Sequence, residues 1–384
     1  MPNTHKLLSL AEEEMWNGFS GLGWKDEFVE FVRHKRAGLL SSAALLLSGD
    51  WLNRLRKFTS HIEAVFADPA YRSAFAPLKE AHPGLIGYDL HLTVNGPQLI
   101  EINTNPGGLL LNLAHAEMAS RLSPDLAIAR SGDFKLKEIK HEILASFLTE
   151  WRSGGRENRP CAIAIIDKNP PEQYLWPEFL LYRDLFVAAG IPTLIADPAE
   201  LEIKDNVLLC QGQKIDLVYN RLTDFPLREP ANSVLAEAWE NDRALLIPDP
   251  PSHALYADKV NLIHLSQRTE LKANLPMVCP VSAELWPERR RFFFKPRDGF
   301  AGRGAYRGDK LSKGKWEEIL RGDYIAQEYS PPPICRLPGI GDFKFDVRLY
   351  AKQQKILLAA ARIYNGQTTN FRTPHGGFAP IFFG

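Results

Sequence analysis

Residues 87–108 read GYDLHLTVNGPQLIEINTNPGG. Polar and apolar residues alternate from Gly87 to Val94 and again from Gln98 to Asn103, and the intervening Asn95-Gly96-Pro97 is a turn signal. The stretch therefore predicts a β-hairpin with two differently composed faces.

The second strand of this hairpin carries two oxygen-bearing side chains on one face. Glu101 and Asn103 are two residues apart, so both point to one face while Ile100 and Ile102 point to the other. A carboxylate and an amide oxygen are hard ligands that suit Mg²⁺. A solvated hairpin face is the competing interpretation, but it has no special use for the NTNPGG exit that begins at Asn103.

Asp89, on the first strand, joins this pair in only one register. A three-residue loop from Asn95 to Pro97 places Asp89 opposite Asn103, whereas a two-residue loop at Asn95-Gly96 places it opposite Ile102, on the wrong face. Proline has no N–H to donate to a ladder, which favours leaving Pro97 in the loop. We therefore expect the longer loop.

Around the hairpin the chain divides into three predicted parts. Residues 1–150 are mainly helical apart from the hairpin, and the apolar run Ala37–Leu47 within them is too short for a membrane span, which favours a buried helix segment. Short apolar runs alternate with helices through 151–252, which predicts a small α/β domain. Residues 253–384 carry further strands, two helices and a glycine-rich turn.

Composition excludes several classes of function. The 384 residues include 46 basic and 46 acidic side chains, so the basic bias of a nucleic-acid-binding protein is lacking. The four cysteines are scattered, without the spacing of a disulfide framework or a zinc site. The N-terminus is acidic where a signal peptide is basic and apolar. We expect a cytoplasmic protein without nucleic-acid or membrane partners.

A glycine-rich turn follows Lys295 and contains Gly299, Gly302 and Gly304. Glycines allow backbone amides to approach an anion closely, and a lysine adds a compact positive charge. The segment is neither a P-loop nor a dinucleotide-binding fingerprint, because the glycine order and the endings differ. A flexible hairpin tip with solvated arginines explains the same residues equally well.

A second charged strand is predicted at Phe345–Lys352. Asp346 and Arg348 alternate with apolar residues, and the next predicted strand carries Arg362 near its end. Two arginines facing one cleft bind a carboxylate or a transferring phosphoryl group, because guanidinium matches both. An exposed sheet edge with Asp–Arg pairs is the alternative.

Together these motifs resemble those of the ATP-grasp superfamily of carboxylate–amine ligases. The matching segments are Asp258-Lys259, Lys295-Pro296, Gln327-Glu328-Tyr329, Asp346-Val-Arg348, Arg362 and Asn370–Gly377. The order departs from the common one, since the Asp…Glu-x-Asn element comes first. This order is similar to that of the glutathionylspermidine synthase and eukaryotic glutathione synthetase groups and implies a circularly permuted ATP-grasp fold, of mixed α/β class, with a small α/β pre-grasp domain.

The resemblance also implies roles for individual residues. The metal ligands for Mg²⁺ are Asp89, Glu101 and Asn103, and the catalytic residues are Arg348 and Arg362, which stabilise the transferring phosphoryl group. The implied ATP contacts are Lys259 and Lys295 on the phosphates, Gly299, Gly302 and Gly304 over them, and Gln327, Glu328 and Tyr329 at adenine. Asn370 is a further metal or phosphate contact.

The reaction implied by the resemblance is ligation of a small-molecule or peptide carboxylate to an amine or thiol. ATP phosphorylates the carboxylate, and the nucleophile then displaces phosphate from the acyl phosphate. One alternative is a small-molecule kinase on the same scaffold, with His375 or Asp346 as general base. Another is a nucleotide-binding regulatory module without turnover, against which the intact acidic group and both lysines argue.

The substrate is less well indicated than the nucleotide. Residues 219–224, YNRLTD, follow a predicted strand of the α/β domain. Arg221 in this loop has two equally good interpretations, as a substrate contact in an acceptor pocket and as part of a domain interface.

Overall fold

The computed structural model describes residues 5–75, 79–129, 136–299 and 304–384. In chain order its strands are β1 (His5–Ser9), β2 (Ala43–Leu47), β3 (Ile86–Thr93), β4 (Gly96–Asn103), β5 (Ile163–Ile166), β6 (Thr193–Ala196), β7 (Leu201–Lys204), β8 (Val207–Cys210), β9 (Gln213–Lys214), β10 (Leu217–Asn220), β11 (Leu245–Ile247), β12 (Val278–Pro280), β13 (Phe292–Pro296), β14 (Tyr306–Arg307), β15 (Tyr324–Glu328), β16 (Ile334–Leu337), β17 (Gly341–Lys352), β18 (Lys355–Tyr364) and β19 (Gly377–Phe383).

The helices pack on or between four sheets. They are α1 (Glu12–Ser20), α2 (Asp26–Glu30), α3 (Gly49–Ala67), α4 (Pro69–Ala74), α5 (Leu109–Leu122), α6 (Pro124–Ala129), α7 (Leu136–Ser153), α8 (Trp176–Ala188), α9 (Ser233–Glu240), α10 (Pro250–Ser252), α11 (Asn261–Ser266) and α12 (Lys313–Arg321). Within the described ranges no helix has both the length and the apolar content needed to cross a membrane.

The largest sheet brings both ends of the chain together. Its strand order is β1-β2-β19-β18-β17-β3-β4, with β16 paired to β17, and the neighbours along this path are antiparallel except for β19 and β2. Alternation along the strands gives the sheet two apolar faces. Tyr88 and Leu349 lie with α3 in one core, whereas Tyr350 and Phe378 lie with α5 and α7 in another. The sheet is thus covered by helices on both faces.

A second sheet is parallel and has the order β11-β10-β5-β6. All its strands lie between Ile163 and Ile247, inside the stretch whose strand and helix signals alternate. Such strands are buried on both faces and read as short continuous apolar runs, as Ile163–Ile166 does. The carboxyl ends of these strands lead to Asp167, Arg221 and Pro248.

A third sheet, β12-β15-β13-β14, is antiparallel and packs on α12. Phe292, Phe294 and Ala326 of its strands form a small core with Trp316 and Ile319 of α12. This sheet carries Lys295 and the segment Gln327–Tyr329. The remaining small sheet, β7-β8-β9, shares an apolar core with the parallel sheet.

Two expectations from the sequence are wrong. The run Ala37–Leu47 is not a helix, because its second half is β2, which pairs with β1 on one side and β19 on the other. A short apolar run fits a buried strand as well as a buried helix, and here partners distant in sequence decide. The part of residues 1–150 before the hairpin is therefore not helical throughout, since β1 and β2 both lie within it.

The hairpin register also differs from the expected one. Thr93 pairs with Gly96 around a loop of Val94 and Asn95, so Pro97 lies in β4 rather than in the loop. Proline is tolerated there because β4 is the edge strand of its sheet. A bulge then shifts the register by one residue, so Asp89 pairs with Glu101 and not with Asn103.

Candidate functional site

A buried aspartate lies at the centre of the candidate site. Asp89 on β3 is the direct cross-strand neighbour of Arg348 on β17. The Arg348 guanidinium donates to both Asp89 oxygens, at 2.6 Å from Nε and 2.7 Å from Nη2. Arg362 Nη2 on β18 lies 2.8 Å from the second oxygen. One carboxylate therefore fixes both of the arginines that the sequence singled out.

A second carboxylate holds Arg362 from the other side. Asp346 and Arg362 are cross-strand neighbours, and Arg362 Nε donates to Asp346 Oδ1 at 2.7 Å. The Thr369 hydroxyl donates to the other Asp346 oxygen. Burial by itself raises the pKa of Asp89, but the charges of Arg348 and Arg362 outweigh it and lower that pKa well below its usual value. Asp89 is therefore ionised at neutral pH.

Glu101 and Asn103 lie beside this network on the same face of the hairpin. Asn103 Nδ2 donates to Asp89 Oδ2 at 3.2 Å, so the amide nitrogen faces the aspartate and the Asn103 oxygen is directed elsewhere. Glu101 Oε1 lies 3.2 Å from Lys259 Nζ, and its side chain is 27% exposed. The bulge at Ile100 thus places Asp89, Glu101 and Asn103 together although the predicted register was wrong.

The two predicted phosphate lysines meet at the β4 edge. Lys295 Nζ donates to the Ile100 carbonyl at 2.8 Å and to Gln327 Oε1 at 2.6 Å. Burial, with a smaller contribution from Lys259, lowers the pKa of Lys295 to about 8, although Glu101 opposes the shift. Lys259 Nζ donates to the Gly299 carbonyl. Lys259 therefore contacts the Glu101 carboxylate directly, whereas Lys295 bonds to neutral oxygens and lies near enough to Glu101 for its charge to act on Lys295.

The glycine-rich turn is anchored at its start. Arg297 donates to Asp258 through Nε at 3.0 Å to Oδ1 and through Nη2 at 2.6 Å to Oδ2, which ties the turn to the residue before Lys259. Gly304 has φ +69, a left-handed conformation that favours glycine. Gly302 lies outside the described residues.

In the segment predicted to contact adenine, the side chain of Gln327 and the backbone of Glu328 and Tyr329 make different contacts. The Gln327 side chain points to Lys295, whereas the backbone N–H groups of Glu328 and Tyr329 donate to the carbonyls of Met277 and Arg291 at 2.8 and 2.7 Å. The Arg307 guanidinium lies 4.2 Å from the centre of the Tyr329 ring. Contact of this segment with adenine stays a prediction.

The loop after β4 is held by residues that the sequence did not single out. Glu178 is fully buried and accepts from the backbone N–H groups of Gly108 and Leu110, at 2.7 and 3.1 Å, at the start of α5. A carboxylate is well placed there because the first N–H groups of a helix have no internal partner. Tyr350 Oη donates to the Gly107 carbonyl at 2.9 Å. The position of Glu178 within the apolar stretch LWPEFLLY, residues 175–182, is the one local signal that could have indicated such a role.

Arg221 and Asn370 make contacts within the protein. Arg221 Nη1 donates to the Asn105 carbonyl and to Tyr219 Oη, both at 3.0 Å, so it joins the parallel sheet to the loop after β4. This geometry favours the domain-interface interpretation. The Asn370 side chain bonds to Asn365, Thr368, Arg372 and Thr373 and organises its own loop.

His91 is a further residue of this region that the sequence did not single out. It follows Asp89 by two positions on β3, so it lies on the same face, and its Nδ1 lies 2.7 Å from the Ser330 carbonyl. A carbonyl only accepts, so Nδ1 carries the proton. Burial is the main cause of a lowered pKa of His91. Its ring is therefore neutral at physiological pH.

The fold is similar to those of solved structures. A glutathione synthetase-like effector from Globodera pallida superposes with a TM-score of 0.58 over 98% of this chain and 100% of that one, at 9% identity. A protein from Methylobacillus flagellatus described as a putative gamma-glutamylcysteine synthetase superposes with a TM-score of 0.50 over 86% and 87%, at 13% identity. This chain has an ATP-grasp type of fold. At these identities the likeness concerns the fold alone. No protein-family model and no curated protein matches the sequence.

Within this ATP-grasp fold the predicted metal ligands do not form a dense acidic cluster. In the described ranges no three His, Cys, Asp or Glu side chains gather to hold a metal ion. The predicted set contains two carboxylates and one amide, and both oxygens of Asp89 accept from arginines. Because arginines engage both oxygens of Asp89, Glu101 and Asn103 are the better candidates, and all three residues as direct metal ligands stay predictions.

Proposed function

We propose that this protein is a Mg²⁺- and ATP-dependent ligase that joins a carboxylate to an amine or thiol through an acyl phosphate. The observation that supports this most is the joining of Arg348 and Arg362 to Asp89 in the same network as Lys259 and Lys295. Fixed positive charge of this kind suits the transfer of a phosphoryl group.

The charge balance of the network suits an anionic ligand. Four cationic side chains, the two lysines and two arginines, face three carboxylates, those of Asp89, Glu101 and Asp346. The balance therefore leaves one positive charge among these buried or half-buried groups. A triphosphate with one divalent cation bound carries net negative charge and would offset it.

The donor set fits Mg²⁺ in a substrate-bridged site. Mg²⁺ is commonly held by one or two protein oxygens together with phosphate oxygens and water, rather than by a complete protein cage. Glu101 and Asn103 would supply two such oxygens. The positive charge of Lys259 balances the negative charge of Glu101 when no metal is bound. When bound, the ion would neutralise charge between the β- and γ-phosphates.

The proposed reaction has two steps. A carboxylate oxygen of the first substrate attacks the γ-phosphorus, the bond to the β-phosphate oxygen breaks, and ADP leaves. An amine or thiolate then attacks the acyl carbon and displaces phosphate, while the amine loses its proton to solvent. Arg348 and Arg362 hold the transferring group. Asp89 orients Arg348 through two contacts and Arg362 through one, and Asp346 orients Arg362 through one more.

The same geometry argues against Asp346 as the general base of the kinase alternative. A kinase on this scaffold needs a free general base near the acceptor hydroxyl. Asp346 accepts from both Arg362 and Thr369, so its oxygens are engaged. A carboxylate acceptor needs no base, because it is already ionised at neutral pH.

We also propose the division into 1–150, 151–252 and 253–384, with the middle part as a pre-grasp domain. The parallel sheet between Ile163 and Ile247 supports it. The direct pairing of β3 with β17 supports a permuted order of the grasp elements, with the metal hairpin preceding the nucleotide-binding strands. A screen of small carboxylic acids, peptides and amines for ADP release from MgATP tests the function. No acid-dependent ADP release across such a screen, with ATP bound, would contradict it.

A further inference from the structure

The outer edge of β4 is bonded to side chains of another sheet. β4 is the last strand of the large sheet, so its outer backbone groups lack a strand partner. The Leu99 carbonyl accepts from Gln327 Nε2 at 3.1 Å, and the Ile100 carbonyl accepts from Lys295 Nζ at 2.8 Å. These are the residues at the bulge that brings Glu101 opposite Asp89. Lys295 and β4, the strand that carries the predicted metal ligands, are therefore joined by one set of hydrogen bonds.

Gln327 is the centre of this set. It lies on β15, next to the strand of Lys295, and only 2% of it is exposed. Its amide orientation is unambiguous, because an ammonium only donates and a carbonyl only accepts. Oε1 must therefore face Lys295, at 2.6 Å, and Nε2 must face Leu99. Both ends of the amide are bonded inside the protein.

A neutral partner suits a lysine that has to bind phosphate. An ammonium has three N–H donors. Two of those of Lys295 go to uncharged oxygens, those of Gln327 and Ile100, so its positive charge is held in place without being cancelled. A carboxylate at position 327 would hold the lysine equally well but would neutralise it.

We propose that Gln327 is a positioning residue, which fixes the Lys295 ammonium against the β4 bulge while leaving its charge and one N–H for a nucleotide phosphate. The inference rests on the proposed function, since it assigns the partner of Lys295 as ATP. It moves the role of the Gln327 side chain from the adenine end of the site to the phosphate end.

Calorimetric titration of the full chain with MgATP and, separately, with adenosine tests the assignment. Gln327→Leu removes both side-chain bonds, and Gln327→Glu keeps an acceptor for Lys295 but pairs its charge. Each is expected to weaken ATP binding about tenfold, the effect of one charge-assisted hydrogen bond, with adenosine affinity unchanged. Asn274→Ala is the matched control, because Asn274 Nδ2 bonds the β4 edge at the Pro97 carbonyl, 3.0 Å away, without touching Lys295. It should bind ATP as the parent does.

Each other outcome overturns the assignment. Parent-like ATP affinity in Gln327→Glu does so, and this variant decides the matter if Gln327→Leu fails to fold. Equal weakening of ATP and adenosine would place the side chain at the adenine end. If Asn274→Ala weakens ATP binding equally, the effect comes from disturbing the β4 edge and not from the bond between Gln327 and Lys295. A parent chain that binds no ATP would overturn the proposed function itself, and this inference with it.

Discussion

Asp89 lies directly opposite Glu101 across the β3–β4 hairpin, with the register shifted by a bulge between Asp89 and Leu90. Asp89 anchors two arginines, and Glu101 contacts a lysine. The bulge thus brings Asp89, which orients the arginines proposed to bind the phosphoryl group, and Glu101, a proposed metal ligand, together on one hairpin. Bulges are common beside active sites because they redirect a side chain without disrupting the sheet.

Glu101→Gln is expected to lower turnover by about 100-fold or more while the fold persists, because the amide keeps the shape and loses the charge that a divalent cation needs. Steady-state ADP release at saturating MgATP measures the effect, and circular dichroism checks the fold. Glu63→Gln, a carboxylate bonded to Tyr88 on the opposite face of β3, is the control. Full activity of Glu101→Gln would remove Glu101 from the metal site.

Lys295→Ala is expected to weaken ATP binding by about tenfold or more and to leave adenosine binding unchanged, because the lost contact is with phosphate. Calorimetry with both ligands measures the difference. Lys313→Ala, at an exposed lysine at the start of α12, is the matched control. Equal ATP affinity in Lys295→Ala and the parent would count decisively against a phosphate contact.

Arg362→Lys is expected to lower kcat more than it raises the Kd for ATP, because the charge that this arginine stabilises develops in the transition state. Arg348 is a harder target. Its removal leaves Asp89 buried and half-paired, so Arg348→Met should also destabilise the fold by about 3–5 kcal/mol. Single-turnover rates and urea unfolding separate the two effects. A change confined to ATP affinity in Arg362→Lys would assign this arginine to nucleotide binding instead.

Hydroxylamine is expected to trap the intermediate of the proposed ligase. With a competent acid and no amine substrate, ADP should form slowly, and added hydroxylamine should divert the acyl phosphate to a hydroxamate, detected by its iron(III) complex. Arg362→Lys should form hydroxamate more slowly in proportion to its kcat. A stable phosphorylated alcohol as the sole product, with no hydroxamate, would favour the kinase.

His115 is expected to make the fold sensitive to acid. It is fully buried on α5, neither ring nitrogen has a partner in the described part of the chain, and burial lowers the pKa of His115 to about 3. A folded-state pKa below the unfolded value of about 6.5 gives stability that is complete above that pH and is lost as the pH falls, by about 1.4 kcal/mol per pH unit, down to about 3.

Urea unfolding at pH 7 and pH 5 measures this loss, which should be about 2 kcal/mol smaller in His115→Leu than in the parent. His141→Leu is a control at an exposed histidine on α7. An equal loss in the parent and in His115→Leu would show that His115 is not the group that titrates.

Local patterns in the sequence determined much of the site. The two-residue period of a strand placed Glu101 and Asn103 on one face, and it did the same for Asp346 and Arg348 within β17. The short apolar run Ile163–Ile166 indicated a buried strand in the α/β part, where the parallel sheet lies. These features depend on neighbouring residues alone, so periodicity is sufficient to find them.

Tertiary structure alone decided the rest, because the interacting groups lie far apart in the chain. Ala43–Leu47 is a strand because it pairs with β1 and β19, partners from both ends of the protein. Asp89 meets Arg348 across 259 positions, and the Leu99 carbonyl meets Gln327 across 228. The carbonyls at the bulge in β4 accept from the side chains of Gln327 and Lys295, which lie far away in the sequence. Only packing, which satisfies each buried charge and carbonyl, selects that register over the one the turn residues favoured.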